Sequence, residues 1–206
     1  MVGFWPTIQA RDPVPTSNLF TCGKLGVCEL ELADMPLLQR FFDGSPEYFR
    51  FAYDRDPRMV EALYELQDKL PAGMVSRRKW LLGLMDDNGQ LQAMSTVWSG
   101  FMKDDVWMIS LFVVATALHG SGVAGSFYAS LENWMHVSGA QWVRLGVIKN
   151  NHRAERFWEK SGYTEVRQRV DTSLSSNNNV VRVMVKSLAG RPLTEYLQLM
   201  ERDRPE

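Results

Sequence analysis

The residues best placed to do chemistry in this chain form the segment His-Gly-Ser-Gly-Val-Ala at 119–124. An apolar run precedes the segment, and a stretch with helical spacing of apolar residues follows it. The first amides of a helix have no partner within the helix, and the helix dipole adds partial positive charge to them. Glycines let the backbone turn sharply and approach a ligand closely. The segment therefore predicts a site for a phosphate or a pyrophosphate group.

Two common phosphate-binding motifs do not account for this segment. A dinucleotide-binding fingerprint needs an acidic ribose ligand about 20 residues further on, and Glu132 is too near and falls within the predicted helix. A nucleotide P-loop needs Gly-Lys followed by Ser or Thr, which the segment lacks. Two glycines after a strand also fit a plain tight turn, so the surrounding elements have to decide.

The elements around the segment are a mixture of strands and helices. Apolar runs bounded by turn residues predict strands over 24–32, 79–85, 91–98, 107–114, 142–148, 163–170 and 180–185. Helical spacing predicts helices over 33–42, 57–70, 123–137 and 151–160. Asn88-Gly89 favours a hairpin, whereas residues 107–148 permit one parallel crossover. The predicted fold is α+β, a mixed and mostly antiparallel sheet with helices on both faces.

A second block of residues lies downstream, and its spacing is specific. The pattern Asn-x-x-Ala-x-x-x-Trp-x-x-x-Gly-Tyr is formed by Asn151, Ala154, Trp158, Gly162 and Tyr163. Together with the earlier segment, read as His-x-x-Gly-x-Ala, the block resembles the GNAT acetyltransferase family. That family has Arg/Gln-x-x-Gly-x-Gly/Ala in its coenzyme A loop and Asn-x-x-Ala-x-x-x-Tyr-x-x-x-Gly-Phe in its later block. The resemblance covers roughly residues 24–186 and is strongest over 106–166.

The resemblance implies how a ligand would be held. Acetyl coenzyme A (acetyl-CoA) would lie in a cleft between the fourth and fifth strands, in a sheet of six or seven strands. Amides of the glycine segment would bind the pyrophosphate, one strand would pair its main chain with the pantetheine arm, and the later block would line the far wall. The cofactor-binding residues implied are Phe112, Val114, His119, Gly120, Ser121, Gly122, Val123, Ala124, Asn151, Ala154 and Trp158.

Two residues depart from the family pattern. His119 stands where the family has Arg or Gln, and a neutral imidazole can still donate one hydrogen bond. Trp158 stands where many members have a Tyr that acts as general acid, and an indole N–H cannot serve in that role. Because a thiol has a pKa of about 8.5, the thiolate would leave unprotonated or take a proton from water.

The base that would deprotonate an amine is not identified by the sequence. An alkylamine is mostly charged at neutral pH, so a side chain or a bound water has to remove a proton before attack. The strand predicted at 107–114 has Ser110 as its one polar side chain. The other candidates for holding a proton-relaying water are Glu47, Tyr48, Tyr53, Asp54, Asp56, Asp104 and Asp105. The catalytic residues are therefore unknown at this stage.

Composition and charge narrow the class of protein. The 206 residues carry 23 Lys and Arg against 24 Asp and Glu, and 45% are apolar, so we expect one globular domain and no nucleic-acid partner. Residues 29–70 hold ten acidic and five basic residues, a net charge of −5 that hints at a cationic acceptor. Residues 141–169 hold three acidic and seven basic residues, a net charge of +4 that suits an anionic cofactor.

Cysteine usage and hydropathy point to a location. Cys22 and Cys28 are not arranged at metal-ligand spacing, so we expect reduced thiols and no bound metal. We find no apolar run long enough to span a bilayer and no secretion signal. We therefore expect a cytoplasmic protein without a membrane partner.

These observations predict an acetyl-CoA-dependent N-acetyltransferase that acts on a primary amine of a small molecule by direct attack on the thioester. A protein or peptide N-acetyltransferase is an alternative that needs an open groove, whereas the aromatic-rich segment 45–76 suggests a lid over a pocket. A non-catalytic domain that senses acyl-CoA is a second alternative. We expect an N-terminal arm over 1–22, the acetyltransferase domain over 23–188 and a tail over 189–206. Phe4, Trp5 and Phe20 in the arm permit a homodimer.

Overall fold

A computed structural model of the chain describes residues 18–175, 177 and 179–205. These residues form an eight-stranded sheet in the order β1-β2-β3-β4-β5-β6-β8-β7. The strands are β1 (Phe20–Cys22), β2 (Leu25–Glu29), β3 (Arg78–Met85), β4 (Leu91–Ser99), β5 (Val106–Val114), β6 (Trp142–Ile148), β7 (Thr164–Val170) and β8 (Val180–Ser187). Neighbouring strands are antiparallel except β5 and β6, which run parallel. The predicted mixed sheet is confirmed, with one strand more than the six or seven expected.

Helices cover both faces of the sheet. They are α1 (Met35–Asp43), α2 (Glu47–Tyr53), α3 (Glu61–Gln67), α4 (Val123–Val137), α5 (His152–Lys160) and α6 (Leu193–Leu199). Short 3-10 turns lie at Leu32–Asp34, Thr116–Leu118 and Glu201–Asp203. Helices α4 and α5 pack on one face, where Phe127 and Trp158 join Leu145 and Val147 of β6 in one apolar cluster. Helices α1–α3 and α6 form two further apolar clusters with strand residues. These strand residues alternate in sequence with the strand residues of the first cluster, so the two further clusters lie on the opposite face of the sheet.

Two elements near the N-terminus were not predicted as such. Residues 20–22 pair with β2 as β1, and Phe20 stacks on Trp134 with ring centroids 5.3 Å apart. Phe4 and Trp5 lie outside the described residues. Residues 47–53 form α2, which the sequence suggested only as part of a lid, and Phe49 packs edge-on against Phe42 of α1 at 5.1 Å. Both elements depend on aromatic contacts with residues distant in sequence, which local periodicity does not report.

The C-terminal segment packs on the sheet. Arg144 of β6 donates two hydrogen bonds to the Asp203 carboxylate, at 2.7 and 3.1 Å, and both side chains are buried. The Tyr196 hydroxyl donates a third hydrogen bond to this carboxylate at 2.6 Å. Breaking one partner of a buried pair of this kind costs about 3–5 kcal/mol. The segment 193–203 is therefore part of the folded body.

The feature that positions a site is the parallel pair of β5 and β6. The two strands are paired only from Val106 with Trp142 to Ile109 with Leu145, and beyond this point they diverge. On its other edge β5 carries a bulge, because Thr96 pairs with Leu111 while the next residue, Val97, pairs with Ile109. Ser110 is the extra residue of the bulge. The gap between the strands opens where the bulge lies.

Three further findings concern the described part of the chain. Cys22 and Cys28 are both buried and are not in disulfides. The described helices are all too short or too polar to cross a membrane. No group of three or more His, Cys, Asp and Glu side chains in these residues could hold a metal ion.

Candidate active site

The main chain of β5 presents hydrogen-bonding groups to the gap. The Ala115 N–H donates to the Gln92 carbonyl at 2.9 Å, which makes these two residues a hydrogen-bonded antiparallel pair. Such pairs alternate along two strands, so Val113 and Leu111 also bond to β4. Phe112 and Val114 come between them and direct their N–H and C=O groups away from β4, towards the gap. These are the two residues whose main chain the sequence predicts to bind a pantetheine arm.

The bulge determines which side chains face the gap. Ile109 and Phe112 both pack on the α4 side of the sheet, although three residues of regular strand would put them on opposite faces. The extra residue Ser110 shifts the alternation by one. Phe112 can thereby pack against Phe127 at 5.4 Å and Trp158 at 5.4 Å, measured between ring centroids. Ser110 itself is exposed, and its hydroxyl accepts a hydrogen bond from the Trp98 indole at 2.9 Å.

The glycine segment forms an open turn at the start of α4. Gly120 has φ of +82° and Gly122 has φ of +90°, values that favour glycine over other residues. No atom lies within 4 Å of the position that a Cβ would take at either glycine, so the turn borders open space. Gly122 is the N-cap and offers no side-chain oxygen to the first amides, and the Val123 N–H has only a long contact of 3.4 Å with the Ser121 hydroxyl. The first-turn amides of α4 are available to an anion.

His119 connects the glycine turn to two other elements. Its Nε2 lies 3.1 Å from the Val114 carbonyl oxygen, to which an Nε2–H donates, and its Nδ1 contacts the Arg153 guanidinium. The Glu47 carboxylate lies 3.2 Å from the same Nδ1 and also accepts a hydrogen bond from Thr116 at 2.9 Å. His119 therefore braces the turn and occupies the Val114 carbonyl, which reduces the main-chain groups open to a ligand.

Helix α5 forms the opposite wall. The Asn151 side-chain oxygen accepts the Ala154 N–H at 3.2 Å and so caps the first turn of α5. Trp158 is 7% exposed and packs against Tyr128 and Tyr163 with ring centroids 5.1 and 5.2 Å away. Asn151 thus has a structural task besides any contact with a ligand, and Trp158 is an aromatic wall.

Two cavities meet at the gap. The loop-side cavity, about 490 Å³, is lined by His119 and Ala124, which lie on either side of the glycine turn, and by Arg153. The far-side cavity, about 330 Å³, is lined by residues of β5–β8, among them Ser110, Arg144 and Arg169. The residues that line both cavities are Tyr48, Phe112, Asn151, Ala154 and Trp158. A molecule in one cavity can therefore meet a molecule in the other at the splayed strands.

A partly buried carboxyl group lies in a further cavity that shares two tyrosines with the far-side cavity. Glu65 of α3 lines a third cavity, about 310 Å³, together with Tyr48 and Tyr53, which also line the far-side cavity. The Thr96 hydroxyl donates to the Glu65 carboxylate at 2.5 Å, and burial raises the pKa of Glu65 above its ordinary value. Burial also raises the pKa of Tyr48 and of Tyr53, which are hydrogen-bonded to each other and stay neutral at physiological pH. Glu65 is not among the sequence candidates, because its burial is created by β4, which follows it in the chain.

Residues 28–163 match the Acetyltransferase (GNAT) family. The chain belongs to this family. The match spans β2 to the end of α5 and includes both motif blocks, so the resemblance seen in the sequence is confirmed and the protein is an N-acetyltransferase by family. No curated protein has significant sequence similarity to the chain.

Solved structures with GNAT-type activities share the fold. An acetyltransferase from Thermus thermophilus matches with a TM-score of 0.61 and 20% identity over 80% of this chain and 97% of that one. A spermidine N-acetyltransferase from Vibrio cholerae, solved with CoA and spermine, matches with a TM-score of 0.61 and 14% identity over 80% and 96%. The ribosomal-protein-S18-alanine N-acetyltransferase from Escherichia coli matches with a TM-score of 0.60 and 14% identity over 82% and 96%. At such identities the likeness shows the fold alone.

In this GNAT protein four of the eight sequence candidates for a base lie away from the gap. Asp54, Asp56, Asp104 and Asp105 are exposed and line neither the loop-side nor the far-side cavity. Glu47 and Tyr53 each line one of these cavities, and Tyr48 lines both. The candidates are therefore reduced to the residues of α2 and to Ser110.

Several carboxylates of the acidic segment 29–70 form ion pairs within the fold. Arg55 and Arg58 both contact the Glu61 carboxylate at 2.6 Å. Arg78 contacts Glu29 at 2.7 Å, and Arg50 contacts Asp56 at 2.5 Å. Of these four arginines Arg78 alone lies outside the segment, so the pairs leave most of its net charge of −5 in place.

Proposed function

We propose that this protein is an acetyl-CoA-dependent N-acetyltransferase of a small-molecule primary amine. The observation that supports it best is the pair of cavities that meet at the splayed end of β5 and β6. Acetyl-CoA occupies the loop-side cavity and the amine occupies the far-side cavity. The thioester then lies at the residues common to both cavities, where the amine can reach its carbonyl carbon from the other face of the sheet.

The donor is held mainly by main-chain groups. The pantetheine arm pairs with Phe112 and with the Val114 N–H, as an added strand would. The pyrophosphate binds the first amides of α4, and the Arg153 guanidinium beside His119 adds a positive charge at the mouth of the cavity. Arg153 was not among the sequence predictions, because it occupies a variable position within the later motif block.

The reaction is a direct acyl transfer. The amine nitrogen forms a bond to the thioester carbonyl carbon, the carbon–sulfur bond breaks, and coenzyme A leaves as the thiolate. A backbone N–H of β5 near Phe112 stabilises the oxyanion. Tyr48 is neutral and lines both cavities, and its hydroxyl donates a hydrogen bond to the departing thiolate. The Trp158 indole cannot act as a general acid.

Glu65 accepts the proton that the attacking amine loses, through water beside Tyr48 and Tyr53. Three observations support it: the partly buried carboxyl group, its hydrogen bond from Thr96, and the cavity it shares with the two tyrosines. A carboxyl group with a raised pKa is a stronger base than an exposed one. Glu65 therefore supplies the base that the sequence left unassigned.

The size of the far-side cavity favours a small acceptor over a protein. Its volume is about 330 Å³, and Tyr48 and Tyr53 of α2 line it together with Leu70, Pro71 and Met74 after α3. A peptide acceptor would need an open groove along the sheet, and a non-catalytic sensor would not need a second cavity. We also propose a cytoplasmic location, where acetyl-CoA is supplied and the free Cys22 and Cys28 stay reduced.

The test is release of coenzyme A thiol from acetyl-CoA with a panel of primary amines. The wild type should release thiol with at least one amine, and Gly122→Trp should abolish release because the indole fills the turn. Gly190→Trp is the matched control, since Gly190 has φ of +69° and open space around it but lies outside both cavities. Acetyl-CoA binding without release on a broad panel would favour the sensor. Equal loss in both glycine variants would contradict the assignment of the turn.

A further inference from the structure

One charged side chain of the far-side cavity is unaccounted for by the reaction described above. Arg169 of β7 is partly buried and lines this cavity. Its guanidinium makes no hydrogen bond or ion pair with any residue of the described part of the chain. A guanidinium carries five N–H donors, and leaving them without partners in a partly desolvated site is costly.

The charged groups around Arg169 are balanced in sign and have contacts of their own. The other charged side chains that line the cavity are Arg144 and Asp171. Arg144 has its partner in Asp203, and the Asp171 carboxylate accepts both the Ser173 N–H at 3.0 Å and the Ser173 hydroxyl at 2.6 Å. Burial lowers the pKa of Arg169, the charges of Arg144 and Arg202 lower it further, and those of Asp203 and Asp171 raise it. A carboxylate of a ligand would give the guanidinium a hydrogen-bond partner that none of these groups provides.

The rest of the cavity is suited to hydrocarbon. Its apolar wall is formed by Leu70, Met74, Phe101, Met108, Leu174 and Val181. Arg169 is in register with Val181 of β8, which is in register with Ile148 at the end of β6. Two strand spacings amount to about 10 Å, so Arg169 lies at the end of the cavity away from the gap. A ligand that spans the cavity would meet the gap at one end and a guanidinium at the other.

We propose that the acceptor amine carries a carboxylate, which binds the Arg169 guanidinium, on an otherwise apolar skeleton. This inference rests on the proposed function and specifies its substrate class. Planar bidentate pairing makes a guanidinium selective for carboxylates. The carboxylate end fixes the ligand at β7 and directs the amine to the thioester at the gap. The acceptor is then an amino acid-like molecule and not a polyamine.

The test compares amino acids with the amines obtained by removing their carboxylates. The probes are ε-aminocaproate with n-pentylamine and 8-aminooctanoate with n-heptylamine. In the wild type, at least one carboxylate probe should have a kcat/KM about tenfold or more above its partner, as expected for loss of a charge-assisted hydrogen bond. Arg169→Gln should remove this preference through KM while leaving the amines without carboxylate and the affinity for acetyl-CoA within about twofold.

Arg77→Gln is the matched control, because Arg77 is exposed, forms an ion pair with Asp104 and lies outside the far-side cavity. It removes the same charge and should change none of these constants. Equal turnover of both members of each pair by the wild type, or an equal loss for both members in Arg169→Gln, would overturn the proposal.

Direct binding separates this proposal from the proposed function. Calorimetric titration of the coenzyme A-saturated protein, and of the protein alone, with the same four probes needs no turnover. Binding of a carboxylate probe that Arg169→Gln abolishes would support the anion subsite even if no acetyl transfer occurred, and then only the proposed function would fail. Acetyl transfer to amines with no binding preference for the carboxylate members would leave the function intact and overturn the subsite.

Discussion

The loop-side and far-side cavities are built in different ways. The loop-side cavity is lined by residues between Phe112 and Ala124, by residues of α5 and the residue before it, and by residues in and just before α2. The far-side cavity is made of side chains from α2, β5, β6, β7 and the loop after α3. Two of the three segments that line the donor cavity are therefore marked by local spacing in the sequence, whereas the cavity for the acceptor is specified by long-range packing. A substitution in one cavity should change the handling of one substrate and leave the other alone.

The largest effect on this comparison should come from Glu65→Gln. The amide keeps the hydrogen bond from Thr96 but cannot accept a proton, so kcat should fall about 100-fold, while the affinity for acetyl-CoA stays unchanged. Steady-state kinetics with acetyl-CoA titration would measure both. Asp56→Asn serves as the control, because Asp56 is a surface carboxylate paired with Arg50. A tenfold loss of acetyl-CoA affinity in Glu65→Gln would mean that the two cavities are not separable.

The same residue predicts a pH dependence. Burial raises the pKa of Glu65, so its active, ionised form is lost at a higher pH than for an exposed Glu. The acid limb of kcat/KM should therefore lie above about 4.3, the ordinary value for Glu, and Glu65→Gln should lack it. Since the ionised form is the one disfavoured in the folded state, the Gln variant should be no less stable at neutral pH than the wild type. An acid limb that survives in the variant would assign it to another group.

A smaller effect, confined to the donor, is expected for Arg153→Ala. Arg153 is exposed at the mouth of the loop-side cavity, so its loss should raise the Kd for acetyl-CoA about threefold to fivefold and weaken the salt dependence of binding. Arg156→Ala is the matched control on the same helix, because Arg156 is also exposed but lines neither cavity. Calorimetry at two ionic strengths would measure the change. An altered acceptor KM in Arg153→Ala would mean that a substitution in the loop-side cavity also affects acceptor binding.

The smallest effect is expected at a residue that belongs to both cavities. Trp158→Tyr replaces an aromatic wall by a smaller aromatic ring with a hydroxyl, so acetyl-CoA affinity should change by less than about threefold and turnover should be kept or raised. Higher turnover would mean that the position faces the sulfur and accepts a general acid. Unchanged turnover would assign thiolate stabilisation to Tyr48, and Tyr48→Phe should then lower kcat in the same assay.

This difference explains what the sequence could predict. The α+β sheet, the parallel β5–β6 pair and the positions of the glycine turn and the later block follow from periodicity and spacing within short segments. Arg169 and Glu65 could not be recognised, because each is an ordinary polar residue of an amphipathic element until β4, β8 or the C-terminal segment surrounds it. The cationic acceptor suggested by the acidic segment stays a prediction, because Arg55 and Arg58 are already counted in the net charge of the segment and Arg78 offsets one further charge.

Two motif residues have contacts within the chain that spacing did not predict. His119 is expected to contact the ligand in place of Arg or Gln, and its ring also lies between Val114 and Arg153. Asn151 was expected to line the wall, and it also caps α5 through the Ala154 N–H. Spacing identifies such residues but does not distinguish a contact with ligand from a contact that shapes the site.

Every role proposed for a residue of this protein depends on binding of acetyl-CoA in the cavity beside the glycine turn. Calorimetric titration of the purified protein with acetyl-CoA and with coenzyme A measures this binding. We expect micromolar affinity for at least one of the two, at one molecule per chain. Absence of binding of either at millimolar concentration would contradict the assignment of the cavity, while leaving the GNAT fold in place.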